Sequence, residues 1–276
     1  MLPPSSGSMA GAVLTDEQVH DLGDALLAAF ERGEAIEPLT DRHPDLSVTD
    51  AYRVQRRLIA GHEQAGRTVG GRKIGLTSEA IQRQLGVDVP DFGVLLDTHV
   101  LPSATVLSRR DQRLIAPRVE PELAVVLDRP LAGPGIDAEQ VRDAVRAVLP
   151  VLEIIDSRIV DWRIGLADTI ADNASCFGVV TGDEVPVDRL GPLADVPVTL
   201  SRDGEAVQRG VGAAVMGDPL AAVAWLADEL GRLGDALPAG QPVLCGSFTA
   251  AVDAVPGTFV ADFGPTIGSV SVEVVA

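Results

Sequence analysis

Basic and aromatic residues are both scarce in this chain of 276 residues. Lys and Arg total 22 against 40 Asp and Glu, so the formal net charge is −18, and aromatic residues make up only 3%. Such an acidic surface argues against nucleic acids and anionic membranes as partners, although a site inside a negative shell can still bind an anionic substrate. With so few rings, the core must consist of aliphatic side chains.

Signals for disulfides, export and membrane insertion are also missing. Cys176 and Cys245 are far apart and form no CxxC pair, which favours reduced, buried thiols in a cytoplasmic protein. Residues 1–11 contain no basic residue and no long apolar stretch, so they are predicted to be a disordered leader and not a signal peptide. No apolar run reaches the ~18 residues of a membrane span.

Common catalytic motifs are absent as well. The chain has no GxSxG elbow, no HExxH and no P-loop. Its four histidines are scattered, and His20, His43 and His62 are predicted to lie at the surface of a helical segment. A metal site would therefore be built from carboxylates, which favours a hard cation over zinc.

The pattern of apolar residues predicts an α+β fold with two parts. Residues 1–65 form a leader and a helical region, in which Thr15 begins a helix that ends at Gly33 and a second helix begins near Thr49. Residues 66–276 form a β-rich catalytic domain of short Val, Ile and Leu runs, interrupted by two predicted helices that span 137–150 and 218–234. Strands and helices do not alternate regularly, which disfavours a doubly wound parallel sheet.

Three glutamates at the mouths of apolar runs are the first candidate site. Glu120 and Glu122 precede the run Leu123–Leu127, and an extended strand would point both the same way, about 6.6 Å apart at ~3.3 Å per residue. Glu153 lies in another strand-like run. These acids are either an all-oxygen site for Mg²⁺ or Mn²⁺, or a solvated strand edge beside one salt-bridged acid.

Other polar residues border the apolar runs. Lys73 stands in a short run between glycines, where it either polarises an oxyanion or lies at the surface of a strand end. Asp91 belongs to a turn-rich loop, Gly86–Gly93. Arg158 and Ser175 lie in further polar clusters, each of which is a weak signal by itself.

Taken in order, these segments resemble the 2-keto-4-pentenoate (2-hydroxypenta-2,4-dienoate) hydratases of the fumarylacetoacetate hydrolase superfamily, from about Thr15 to the C-terminus. The resemblance rests on the stretches GRKIGLTS (71–78), GVDVPDFG (86–93), APRVEPELAVVL (116–127), LEIIDSRIVDWRI (152–164), DTIADNASC (168–176), AVAWLADELGRLG (222–234) and AGQPVLCGSF (239–248).

The resemblance implies a β-rich mixed-sheet roll of the fumarylacetoacetate hydrolase type with an N-terminal helical region. It implies Glu120, Glu122 and Glu153 as ligands of Mg²⁺ or Mn²⁺, and Lys73 and Asp91 as catalytic residues. Ser175 and Arg158 are further candidates for substrate binding. Pro121 departs from the usual pattern between the two glutamates, and its missing N–H predicts a strand start or edge there.

The implied reaction is the addition of water to 2-hydroxypenta-2,4-dienoate, or a substituted analogue, to give a 4-hydroxy-2-oxo acid in aromatic meta-cleavage degradation. A related 4-oxalocrotonate decarboxylase and a non-catalytic assembly partner of that decarboxylase are the alternatives. The resemblance also implies a cytoplasmic homo-oligomer, a pentamer or decamer, that could form a complex with the decarboxylase. The substrate is a small 2-oxo or 2-hydroxy dienoic acid.

Overall fold

The computed structural model describes residues 14–78, 82, 87 and 89–276, so the predicted leader lies outside the described residues. Six α-helices fall within this part of the chain. They are α1 (Asp16–Arg32), α2 (Leu39–Arg42), α3 (Val48–Gln64), α4 (Ala138–Ala144), α5 (Leu166–Ala171) and α6 (Pro219–Arg232).

Helix α1 begins and ends at the residues that the sequence predicts. The Thr15 side chain accepts a hydrogen bond from the Gln18 backbone N–H, and the Gln18 side chain accepts one from the Thr15 N–H, which is the predicted capping box. Gly33 ends the helix with a φ of 68°, a left-handed conformation that glycine adopts without strain. Helix α3 begins slightly earlier than predicted, because Ser47 and not Thr49 provides its cap.

Two mixed β-sheets make up most of the remaining chain. The described strands are β1 (Val69–Gly75), β2 (Asp91–Leu96), β3 (Val100–Pro102), β4 (Thr105–Ser108), β5 (Arg118–Leu127), β6 (Val145–Ile155), β7 (Cys176–Thr181), β8 (Val185–Pro186), β9 (Pro197–Arg202), β10 (Glu205–Val211), β11 (Pro242–Ser247), β12 (Val252–Asp253), β13 (Gly257–Asp262) and β14 (Ser269–Val275).

The larger sheet carries the order β2-β1-β11-β5-β6-β7-β3, with β12 beside β5 and β8 beside β6, and the smaller one the order β10-β9-β13-β14-β4. Most neighbours are antiparallel, whereas β1–β11, β3–β7 and β4–β14 are parallel. Both sheets and α6 contribute to one large apolar cluster, which includes Leu123, Leu200, Val223, Phe259 and Val272. The predicted α+β class with mixed sheets is confirmed.

The helix predicted over residues 137–150 is correct only in its first half. Asp137 caps α4 as expected, but the helix ends at Ala144 and strand β6 begins at Val145, within the range that was predicted to be helical. Val145 and Val148 fit helical spacing, but every residue of β6 except Arg146 is buried. A strand buried on both faces loses its alternation, so its apolar run resembles that of a helix.

Pro121 does not lie at a strand start or edge, because β5 runs between β6 and β11 with β12. It is the fourth residue of β5 and pairs with Leu152 of β6. On the other side, the pairing with β11 is irregular between Leu244 and Ser247, and the Pro121 carbonyl accepts a hydrogen bond from the Phe248 N–H. The missing N–H of Pro121 thus falls in an interrupted part of the ladder.

The N-terminal helices share an apolar cluster with α5 from the later part of the chain, since Leu26, Val54 and Leu58 belong to the same cluster as Ile170. The division at residue 65 stays a proposal.

His62 is buried against Phe30, so its predicted surface position is wrong, whereas His20 is exposed. None of the described helices combines the length and apolarity that a membrane crossing requires.

Candidate active site

The three glutamates meet on the larger sheet. Glu120 and Glu122 alternate along β5, and Glu153 lies directly opposite Glu120 in the register of β6. One oxygen from each carboxylate lies within 4.8 Å of the others. Glu122 and Glu153 are fully buried and Glu120 is half-buried, so the solvated strand edge that the sequence left open is ruled out.

The electrostatics of this cluster favour a cation. Burial and then the Glu153 carboxylate raise the pKa of Glu120 to about 7, and burial followed by both neighbours raises the pKa of Glu122 well above its ordinary value. Within the described residues, Glu122 Oε1 and Glu153 Oε2 are buried without a hydrogen-bond partner, whereas Glu153 Oε1 lies 3.3 Å from Lys73 Nζ. Unpaired buried carboxylate oxygens are costly, and a hard divalent cation takes oxygen ligands of this kind. The residues therefore fit Mg²⁺ or Mn²⁺.

Lys73 reaches the cluster from β1. Its side chain is only 4% exposed, and its Nζ lies 3.3 Å from Glu153 Oε1 and donates a 3.0 Å hydrogen bond to the Ala174 carbonyl. Burial by itself would lower the pKa of Lys73, but the Glu153 and Asp91 carboxylates outweigh it and raise that pKa above its ordinary value. Lys73 is a charged group inside the site and not a surface lysine.

Asp91 was predicted in a loop, but it is the first residue of β2 and pairs with Gly75 of β1. Its Oδ2 accepts a 3.3 Å hydrogen bond from the Thr169 hydroxyl, whereas the buried Oδ1 has no partner in the described part. Burial raises the pKa of Asp91 against the opposing charge of Lys73. A Cβ at Gly75 would come within 2.2 Å of Asp91 Oδ1 and 3.1 Å of Lys73 Nζ, so glycine lets these groups come together.

Ser175 faces the same cavity as the glutamates. Its hydroxyl is buried and has no hydrogen-bond partner among the described residues. The turn that carries it is strained, because Asn173, Ala174 and Ser175 have φ values of 55°, 51° and 52°. The Asn173 side chain anchors the turn to β2 by exchanging two 2.9 Å hydrogen bonds with the backbone of Val94.

The placement of Arg158 does not fit substrate binding. Its guanidinium is buried, bonds to Asp172 Oδ1 over 2.5 Å and donates to the carbonyl groups of Asp156, Asp172 and Cys176. It does not line the cavity of the glutamates. A buried arginine whose donors are already paired holds neighbouring backbone in place, so we assign Arg158 to supporting the turn that carries Ser175.

A cavity of about 320 Å³ joins these groups. Sequence reasoning assigned no role to several polar residues in its wall, because contacts between distant segments leave no local pattern. Among them are Thr77, Arg118, Trp162, Thr169 and Ser247. All five lie within stretches that carried the resemblance, and this was the available signal.

The model of the fumarylacetoacetate (FAA) hydrolase C-terminal family matches residues 73–274. The chain belongs to the fumarylacetoacetate hydrolase family. The match covers every candidate ligand and catalytic residue, and it confirms the family that the motifs indicated.

Three curated relatives of this family member resemble it over nearly their whole length. A 2-keto-4-pentenoate hydratase of Paraburkholderia xenovorans (strain LB400) is 42% identical over 94% of this chain and 96% of the relative. A 2-hydroxyhexa-2,4-dienoate hydratase of Comamonas testosteroni is 40% identical over 88% and 93%. A 4-oxalocrotonate decarboxylase of Pseudomonas putida is 37% identical over 94% and 97%.

A solved structure agrees with the fold of this family member. The 4-oxalocrotonate decarboxylase from Pseudomonas putida G7, complexed with magnesium and adipate, has a TM-score of 0.91 at 35% identity and covers 95% of this chain and 99% of its own. The predicted roll with an N-terminal helical region is confirmed. This chain shares its fold with a decarboxylase, so the choice between hydratase and decarboxylase depends on the site and on sequence similarity.

Proposed function

We propose that this chain is a hydro-lyase that adds water to 2-hydroxypenta-2,4-dienoate, or a substituted analogue, in aromatic meta-cleavage degradation. The product is a 4-hydroxy-2-oxo acid. The observation that carries the proposal is a cavity lined by Glu120, Glu122, Lys73 and Asp91, with a Glu153 oxygen within 4.8 Å of the other two glutamates. Hydratases of such dienoates at 40–42% identity support the same reaction.

Glu120, Glu122 and Glu153 would hold the cation, Mg²⁺ or Mn²⁺. When bound, it supplies a Lewis acid for the 2-oxygen of the substrate. The magnesium in the related decarboxylase supports a divalent ion. Gly246 helps to orient the ligands, since its N–H donates a 2.9 Å hydrogen bond to Glu122 Oε2 and leaves Oε1 free.

Lys73 stabilises negative charge that develops on the substrate. Its ammonium is fixed by the Ala174 carbonyl and by Glu153, so it needs no reorganisation during the reaction. Lys73 thereby favours the step in which the dienol loses its enol proton and gains one at C5. The result is a conjugated ketone that can accept water at C4.

Asp91 moves the protons. Thr169 holds Oδ2, and the unpartnered Oδ1 can take a proton from the attacking water or deliver one to carbon. Burial raises the pKa of Asp91, so its carboxylate holds a proton more readily than an exposed aspartate does. Water contributes OH to C4 and H to C3, so the product differs from the substrate by one water molecule.

The free hydroxyl of Ser175 is a candidate for binding the substrate.

The decarboxylase alternative is less well supported, because the related decarboxylase sequence is 37% identical against 40–42% for the hydratases. A non-catalytic assembly role would not account for the charged residues that line the cavity.

We further propose a cytoplasmic homo-oligomer, a pentamer or decamer, that could associate with a related decarboxylase. Residues 66–276 would form its catalytic domain.

The direct test is incubation of the purified, magnesium-loaded protein with 2-hydroxypenta-2,4-dienoate. We expect 4-hydroxy-2-oxopentanoate to form, and we expect a chelator to stop its formation until Mg²⁺ or Mn²⁺ is restored. Recovery of unchanged substrate with the loaded protein would exclude the hydratase, and full activity in metal-stripped protein would exclude the role of the glutamates.

A further inference from the structure

Arg118 continues the row of glutamates on β5. Residues two apart on a strand share a face, so Arg118 lies on the side of Glu120 and Glu122. Exposure rises along this row: Glu122 is fully buried, Glu120 is half-buried, and the Arg118 side chain is 36% exposed. Arg118 therefore marks the outer end of the site.

The guanidinium of Arg118 is positioned by its neighbours but is not fully paired. It lies over the Trp162 ring, 4.3 Å from its centroid, and Trp162 is itself fixed by a 3.0 Å hydrogen bond to the Ala116 carbonyl. Arg118 Nε lies 3.4 Å from Asp253 Oδ1, whose side chain is 79% exposed. Within the described residues, the two terminal nitrogens of Arg118 have no hydrogen-bond partner.

Two cavities meet at this stacked pair. Arg118 and Trp162 line the 320 Å³ cavity of the glutamates and also an adjoining cavity of about 390 Å³. Arg109 lines only the second cavity. Asp91 lies toward the Glu122 end of the row. It pairs with Gly75 of β1, and β1 is connected through β11 to the part of β5 that contains Glu122 and Ala124.

We propose that Arg118 binds a carboxylate of the substrate at the outer end of the site and so directs the reacting carbons toward Asp91. A planar guanidinium with two free, preoriented N–H groups suits a carboxylate, and stacking on Trp162 reduces the entropy lost on binding. The inference rests on the proposed function, which supplies a 2-oxo acid as ligand. The carboxylate is either the one beside the 2-oxygen or a second one at the far end of a dicarboxylate.

The test measures binding and needs no turnover. Pyruvate and 2-oxoadipate are titrated calorimetrically into magnesium-saturated wild type and into Arg118→Gln, Arg118→Lys and Arg109→Gln. Loss of a charge-assisted pair should weaken binding about 10- to 100-fold in Arg118→Gln. The lysine variant should recover part of the affinity, and Arg109→Gln should bind as wild type does.

The two probes distinguish the source of the carboxylate. Weaker binding of both probes assigns Arg118 to the carboxylate beside the 2-oxygen, and weaker binding of 2-oxoadipate alone assigns it to the distal one. Unchanged binding of both would overturn the proposal. So would a change in Mg²⁺ affinity alone, because Arg118 would then act only on the charge of Glu120. If the wild-type protein binds the probes but does not hydrate the dienol, the proposed function is contradicted, whereas the assignment of Arg118 to carboxylate binding is not.

Discussion

Lys73 Nζ and Glu153 Oε1 form an ion pair of 3.3 Å in which the side chains are only 4% and 0% exposed. The pair links a candidate metal ligand to a candidate catalytic cation. Lys73 is also the one lysine of the whole chain. Protein labelled selectively at lysine therefore gives a single side-chain signal, which reports on the active site directly.

Lys73→Met should lower turnover about 100-fold or more, the scale for losing one oxyanion stabiliser. Mg²⁺ binding should survive, because the three glutamates remain and a cation that competes with the metal has been removed. Calorimetry with Mg²⁺ and steady-state kinetics check both halves of the prediction. A variant that loses its metal together with its activity would show that Lys73 only supports Glu153.

Glu122→Gln should reduce Mg²⁺ affinity by at least about 100-fold, since a ligand charge is lost at a buried site. The fold should persist, because glutamine keeps the volume and an oxygen that can accept from the Gly246 N–H. Glu184→Gln is the matched control, because Glu184 pairs with Arg146 at the surface. Equal Mg²⁺ affinity in the two variants would remove Glu122 from the ligand set.

Asp91→Asn should nearly stop hydration while Mg²⁺ and substrate analogues still bind, because Asp91 is not among the metal ligands. Exchange of solvent deuterium into C3 and C5 of a bound analogue reports whether proton transfer survives, and we expect it to be lost. Asp188→Asn, at an exposed position, is the control. Wild-type hydration by Asp91→Asn would reduce Asp91 to a structural residue at the start of β2.

His99 should make the protein sensitive to acid. It stacks on Phe177 with 4.5 Å between ring centroids, and its Nδ1 is buried without a partner in the described part. Burial lowers the pKa of His99 from 6.5 to about 4. Between these values the unfolded chain binds the proton and the folded one does not, so stability present above pH 6.5 falls as the pH drops toward 4.

His99→Phe should therefore show a smaller loss of thermal stability between pH 7 and pH 4 than wild type does. Melting curves across this range check the prediction, with His20→Phe on the exposed face of α1 as the control. An unchanged pH profile in His99→Phe would mean that other groups determine the response to acid.

The sequence reveals local chemistry better than long-range packing. Alternation along a strand correctly placed Glu120 and Glu122 on one face, and turn residues located the ends of α1. The helix predicted across Val145 failed because a doubly buried strand and a buried helix have similar apolar runs. Asp91 looked like a loop residue because turn-forming residues precede it, whereas its place in β2 depends on pairing with distant β1.

Long-range packing also determines which residues reach the candidate site, and the sequence does not reveal it. Arg158 stands in a polar motif that carried the resemblance, but whether its donors face a substrate or Asp172 depends on how two segments pack. Thr169 and Trp162 reach the cavity only because α5 and the preceding turn fold over the larger sheet. Side chains that come together from separate strands, such as Lys73 and Glu153, leave no periodic pattern in the sequence.

The most direct test of the hydratase assignment follows oxygen from solvent into product. Magnesium-loaded protein in water enriched in heavy oxygen is given 2-hydroxypenta-2,4-dienoate and, separately, 2-oxo-3-hexenedioate, and the products are analysed by mass spectrometry. We expect one solvent oxygen at C4 of 4-hydroxy-2-oxopentanoate from the first compound and no release of carbon dioxide from the second. Carbon dioxide from the second compound, with no solvent oxygen at C4 from the first, would contradict this expectation and identify a decarboxylase.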